Sequence, residues 1–220
     1  MLDGMPPAYL SQPDRNYWHS YPRPDLLYVQ INRVVDQPPI ALSQYLADVL
    51  VEAAEKPVRN AIVDLRFNIG GNYMLSADFA RRLPDLLPST GQLFILTTAN
   101  TFSAGISTAA WLKYYGGARV TIVGENIGDR MQFWAEGGVA TLPNSKLAIQ
   151  YTTGFHDWEN GCSLSQITCF LLNYLYDVPA GSLEPNIVAQ PTFADYLAGQ
   201  DRVMAIVLEA LATGRPSGQE

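Results

Sequence analysis

Charge is scarce in this sequence, and histidine and cysteine are scarcer. Only 16% of the 220 residues are Asp, Glu, Lys or Arg, and there are two histidines and two cysteines. The 14 basic residues are outnumbered by 21 acidic ones, for a formal net charge of −7, and they form no run or stripe with aromatics. A nucleic-acid partner, which needs a concentrated cationic footprint, is therefore not expected. No apolar stretch approaches the ~20 residues of a membrane-spanning helix. Residues 1–13 have neither a basic start nor an apolar segment, so they do not resemble a secretory signal. Cys162 and Cys169 are too few for a disulfide framework or a four-ligand zinc site. One bridge and two free thiols fit them equally. Phosphate loops of the Gly-x-Gly-x-x-Gly or Gly-Lys-Ser/Thr kind are missing, and no motif calls for a cofactor or a metal.

What is present is apolar residue in quantity, 48% of the chain, enough for a substantial core. Residues 1–16, rich in Pro, Asp and Ser, look like an irregular lead-in, residues 17–213 like one core domain, and 214–220 like a polar tail. The aromatic cluster Tyr17-Trp18-His19-Ser20-Tyr21 and the segment Leu26–Val35 have the composition of strands. Helical spacing follows from Leu42 to Ala53, stopped at Pro57. Next come a short strand at Ala61–Leu65, a glycine turn at Asn68–Asn72 and a helix at Met74–Leu83 ending near Pro84. A strand at Leu93–Thr98 leads to a helix closed by Gly116-Gly117, and Val120–Val123 is a further strand. This alternation predicts an α/β fold with a mostly parallel sheet, its middle strands buried on both faces. Beyond Gly124 the pattern changes. Leu147–Thr153 is strand-like and pairs with Val139–Leu142 across residues 143–146; Ile167–Tyr176 suits a short helix or an insertion. A final helix carries Val203, Ile206, Val207, Ala210 and Leu211 on one face.

In open parallel sheets, ligand chemistry gathers where strands end. Three loops leave such ends: Arg66–Asn72, Ala99–Ser103 and Gly124–Asp129. In the second, Thr101-Phe102-Ser103-Ala104-Gly105 turns a buried strand into a helix and presents a serine beside the helix's unpartnered N–H groups. A serine there can attack a carbonyl while nearby amides hold the resulting oxyanion. Ser103 and Thr101 are equally suited to capping the helix.

Four segments together resemble one family. Asp64-Leu65-Arg66-Phe67-Asn68-Ile69-Gly70-Gly71 is similar to the Asp-Leu-Arg-x-Asn-x-Gly-Gly segment of the C-terminal-processing and tricorn-type serine peptidases. Thr101–Gly105 resembles their nucleophile turn and Val123-Gly124-Glu125 their Gly-Glu loop. Leu183-Glu184-Pro185-Asn186-Ile187 is similar to the Pro-Asp-Ile segment that follows. The resemblance spans about residues 17–200 and implies a ClpP/crotonase-like spiral of βα units with a C-terminal β segment and helix. It implies Ser103 as nucleophile, an oxyanion hole from Gly70 or Gly71 with Ala104, and a peptide or protein substrate. Glu125, Arg130 and Gln132 become substrate-binding candidates. An extracytoplasmic location fits the resemblance for a chain whose leader was removed.

The chain departs from the family at the base. Asp129-Arg130-Met131-Gln132 stands where the processing branch has its lysine, and a guanidinium that stays protonated cannot accept a proton from serine. The early strand offers Gln30 where the tricorn branch has histidine, and no segment corresponds to a PDZ module. His19 and His156, the latter beside Asp157 and near Glu159, remain as candidate bases. Three functions follow: a serine peptidase; a protein of the same fold that binds an apolar small molecule or peptide without turnover, as retinoid-binding relatives of the family do; or crotonase-like acyl chemistry that uses the oxyanion hole without the serine.

Overall fold

A computed structural model describes residues 6–213. The predicted polar tail lies outside the described residues. Contacts divide the chain into two compact units, residues 6–128 with 183–213, and Asp129–Ser182, the second interrupting the stretch 17–213 expected as one core.

The first unit contains β1 (Tyr17–Arg23), β2 (Leu26–Ile31), α1 (Leu42–Ala54), β3 (Asn60–Asp64), α2 (Met74–Leu86), β4 (Leu93–Thr97), α3 (Ala104–Gly116) and β5 (Val120–Gly124). In the second, β6 (Gln132–Thr141) and β7 (Ala148–Asp157) precede the short α4 (Asn173–Tyr176). The chain then returns to the first unit for β8 (Ile187–Val188), α5 (Phe193–Leu197) and α6 (Arg202–Thr213).

Six strands form one sheet in the order β1-β2-β3-β4-β5-β8. β1 is antiparallel to β2, and every other pairing is parallel. This is the mostly parallel α/β sheet expected from the alternating pattern. From β2 to β5 each connection steps to the next strand in the same direction, so right-handed crossovers place α1, α2 and α3 on one face. The other face holds Leu26, Tyr28, Ile62, Phe94, Leu96 and Val123, and α6 covers it with Val203, Val207 and Ala210. Strands sandwiched in this way have no polar face, which is why β3 and β4 are continuous apolar runs.

Three predicted boundaries move. β2 stops at Ile31 instead of Val35, because Val34 leaves the strand to bridge Gly71. α2 continues past Pro84 to Leu86. Pro84 forfeits one i→i−4 hydrogen bond, while the Arg119 guanidinium donates to the Pro84 and Leu87 carbonyls at 2.9 and 3.2 Å. The hairpin is longer than predicted, pairing Gln132 with Asp157 through Thr141 with Ala148.

Within the second unit, Cys162 and Cys169 are disulfide-bonded. Their loop runs beside β7, with Phe155 N–H donating to Thr168 O and Phe170 N–H to Phe155 O. Of the predicted segment Ile167–Tyr176, only the α4 residues are helical. No helix among the described residues is long and apolar enough to cross a membrane.

Candidate active site

The turn between β4 and α3 is held by threonine hydroxyls. Thr101 Oγ1 donates to Leu65 O at 2.9 Å and accepts from Thr98 N–H at 3.0 Å. Thr98 Oγ1 donates to Arg66 O at 2.6 Å. The end of β3 thus carries the turn that follows β4. The Gly124–Gly128 segment closes over the same turn: Glu125 N–H donates to Thr97 O, Thr97 Oγ1 to Glu125 O, and Gly128 N–H to Thr101 O, all at 2.8–3.0 Å. The three loops singled out from sequence therefore converge.

Ser103 sits at the N-cap of α3 with φ 53° and ψ −120°, and its side chain makes no capping hydrogen bond. Thr101, bonded to the end of β3, does not cap either. The cap reading of both residues therefore fails. A non-glycine residue at such φ/ψ costs about 1–3 kcal/mol and is characteristic of functional sites. The Ser103 hydroxyl points at the glycine turn: a β-carbon placed on Gly70 would lie 2.8 Å from Ser103 Cβ and 3.1 Å from its Oγ. Only a residue lacking that carbon lets the two turns meet.

Two backbone donors stand open here. Ala104 is the first residue of α3, so its N–H has no intrahelical acceptor, and it finds no other among the described residues. In the parallel bridge between Val34 and Gly71, Val34 N–H donates to Gly70 O and Asn72 N–H to Val34 O. Gly71's own N–H takes no part in this pairing. The Gly70 N–H, the other predicted oxyanion donor, is instead engaged by Asn68 Oδ1 at 3.0 Å.

No side chain among the described residues hydrogen-bonds Ser103 Oγ. His19, on β1, has Nδ1 2.6 Å from Tyr45 Oη and Nε2 3.2 Å from Glu52 Oε2, so both ring nitrogens are occupied by α1. His156 belongs to the second unit, stacked on Phe133 at 5.0 Å with Glu136 Oε1 3.5 Å from Nε2. Burial lowers its pKa from 6.5 to about 4, leaving it neutral and weakly basic near pH 7. Arg130 and Gln132, also in the second unit, are exposed, and Gln132 Nε2 donates to Asp157 Oδ2 at 3.0 Å. Glu125 is half-buried in the loop over the serine turn.

The second unit also holds Asp177, whose pKa rises from 3.8 to about 8, chiefly through burial and then the nearby Asp157 charge, against a hydrogen bond from Asp157 N–H. Folded, Asp177 keeps its proton until about pH 8, whereas unfolded it loses it near 3.8, so its contribution to stability falls as pH rises between those values. His156 acts oppositely, and only below 6.5. Between pH 6.5 and 8 the His156 contribution is already complete while that of Asp177 is still being lost. The thermal midpoint is therefore expected to fall over that interval, and Asp177→Asn to flatten the fall; equal slopes in both proteins would refute the assignment.

Sequence reasoning did not find the buried ionic cluster beneath the site. Arg66 bonds Asp64 and Asp201 through 2.6–3.1 Å contacts, and Tyr28 Oη donates to Asp64 Oδ2 at 2.7 Å. Asp201 also accepts Met204 N–H at the start of α6. An aspartate immediately before a helical pattern was the available signal.

No family model and no curated protein sequence matches this chain. Solved structures do. A Parabacteroides merdae ATCC 43184 protein assigned as a peptidase superposes with a TM-score of 0.59 at 14% identity over 93% of this chain and 67% of its own. Mature CPAF gives 0.52 at 13% identity, over 86% of this chain and 52% of its own. CPAF complexed with lactacystin gives 0.52 at 12% identity, over 97% and 59%. This chain thus spans between about half and two thirds of the length of these structures. The chain shares the fold of these structures, a mixed α/β fold with a mostly parallel sheet, in keeping with the fold that the sequence resemblance implied.

Proposed function

We propose that this peptidase-fold chain is itself a serine hydrolase acting on peptide bonds. Ser103 Oγ attacks the scissile carbonyl, forming a C–O bond as the carbonyl π pair moves onto oxygen and the Oγ–H bond breaks, its proton passing through solvent to the amine that later leaves. The Gly71 and Ala104 N–H groups hold that oxyanion. Its collapse expels the amine, protonated as it leaves, and water then releases the acyl group from Ser103. The observation that carries this reading is the conformation of Ser103: a strained serine at a helix start, with a hydroxyl that caps nothing and faces a glycine.

His19 is committed to α1 and His156 is weakly basic. Hydrolysis is therefore expected to be slow and to rise with pH, whereas a rate governed by an imidazole of pKa about 4 would be flat above about pH 5. Steady-state hydrolysis of activated esters and a peptide panel tests the reading. Turnover no faster than that of Ser103→Ala on every substrate would defeat it.

A second reading is binding without turnover. It is favoured by the lack, among the described residues, of an ionisable partner on Ser103 Oγ and by three exposed apolar residues beside the turns, Phe67, Ile69 and Phe102. It predicts saturable binding of an apolar ligand and no acyl-enzyme.

A further inference from the structure

We infer that Asn68 is the positioning residue of this site, setting the distance between the glycine turn and the serine turn and deciding which glycine N–H faces an oxyanion. The inference rests on the serine-hydrolase reading and deepens it. Asn68 is completely buried, and three of its polar atoms bond to three different segments. Its Nδ2 donates to Ile31 O, the last residue of β2, at 2.9 Å. Its Oδ1 accepts Gly70 N–H at 3.0 Å. Its main-chain carbonyl accepts Phe102 N–H, the residue before Ser103, at 2.9 Å. Gly105, in the first turn of α3, fits against it so closely that a β-carbon there would lie 2.9 Å from Asn68 O and 3.0 Å from Oδ1.

Two consequences follow. First, an asparagine accepting from the residue two positions on forms a local turn. That turn takes the Gly70 amide out of play and leaves Gly71 to supply the donor. Second, Asn68 joins the glycine turn, through its side-chain amide, to the serine turn, through its main-chain carbonyl, adding to the Thr98 and Thr101 bonds that hold the serine turn on the end of β3. Misplacement of about 1 Å in such an arrangement costs on the order of a hundredfold in rate. Asn68 touches no substrate atom and acts through Gly70, Gly71 and Ser103.

The test combines amide hydrogen exchange with fluorophosphonate labelling, corrected for folded fraction, in wild type, Asn68→Ala and Asn68→Asp. Asn68→Ala is expected to speed exchange at Gly70 and Phe102 while the β3 amides stay protected, and to slow labelling about a hundredfold. Asn68→Asp, when protonated, reproduces both side-chain bonds, so its labelling relative to wild type should recover as pH falls. A purely structural role predicts lower stability with labelling per folded molecule within twofold and no pH recovery, and that result overturns the inference. If Asn68→Ala does not fold, the pH recovery of Asn68→Asp decides alone. If wild type is not labelled, the nucleophile reading fails, and exchange decides the positioning claim: unchanged protection at Gly70 and Phe102 refutes it, joint loss supports it.

Discussion

Gly70→Ala is expected to silence Ser103 almost completely while leaving the protein folded. The added methyl would stand 2.8 Å from Ser103 Cβ, 3.1 Å from Oγ and 3.4 Å from Phe102 O, on a backbone at φ 109°. Backbone strain and overpacking each cost about 1–3 kcal/mol. Relief comes most easily by moving the serine turn away, which carries Oγ off its approach and shifts Ala104 N–H. Losing one oxyanion donor alone costs about a hundred- to a thousandfold, and a displaced nucleophile adds to that. Labelling by a fluorophosphonate should fall at least a hundredfold. Gly117→Ala is the control: φ is 58°, yet nothing lies within 4 Å of the new carbon. It should cost backbone strain and leave labelling unchanged. Equal reactivity of both variants would mean that the glycine–serine contact is incidental.

Arg66→Met is expected to cause a large loss of stability, about 3–5 kcal/mol, measured by chemical denaturation. The guanidinium is almost fully buried between Asp64 and Asp201, with side-chain exposures of 3%, 1% and 8%. Burial opposes its charge, yet the two carboxylates more than offset this and raise its pKa. Removing the arginine leaves two buried carboxylates without their cation, the costly half of any buried ion pair. A domain stable by about 5–15 kcal/mol would lose a large part of its margin. Adding Asp64→Asn and Asp201→Asn should recover part of the loss. A deficit below about 1 kcal/mol would show that the network contributes little. The network ties the end of β3 to the start of α6, so the same variant should loosen Thr98 and Thr101, whose hydroxyls hang on Arg66 O and Leu65 O.

Much of the first unit was legible because its signals are local. Apolar runs at β3, β4 and β5, helical spacing between them and the Gly116-Gly117 stop determine most of the sheet order once right-handed crossovers are assumed. Ser103 was legible as a strand-to-helix serine but ambiguous as a cap, since residue type does not reveal φ or where a hydroxyl points. That the Gly70 N–H is engaged by a side chain was hidden for a similar reason. It depends on Asn68 folding back on the chain, a turn that the Asn-x-Gly spacing permits without requiring. β6 was underestimated because Gly137-Gly138 interrupts its strand pattern, and tertiary pairing with β7 overrides that local weakness. Two cysteines seven residues apart suit a bridge or free thiols alike, so their bonding was settled only by the fold of the loop beside β7.

The central claim is that the Ser103 turn is a preorganised nucleophile and not a helix start that happens to carry serine. Its most direct test is a fluorophosphonate incubated with the folded protein, followed by intact-mass measurement and peptide mapping. One adduct per chain on Ser103, absent from Ser103→Ala, is the predicted result. An adduct that persists in Ser103→Ala, or no adduct on folded wild type at any pH up to about 9, would contradict it.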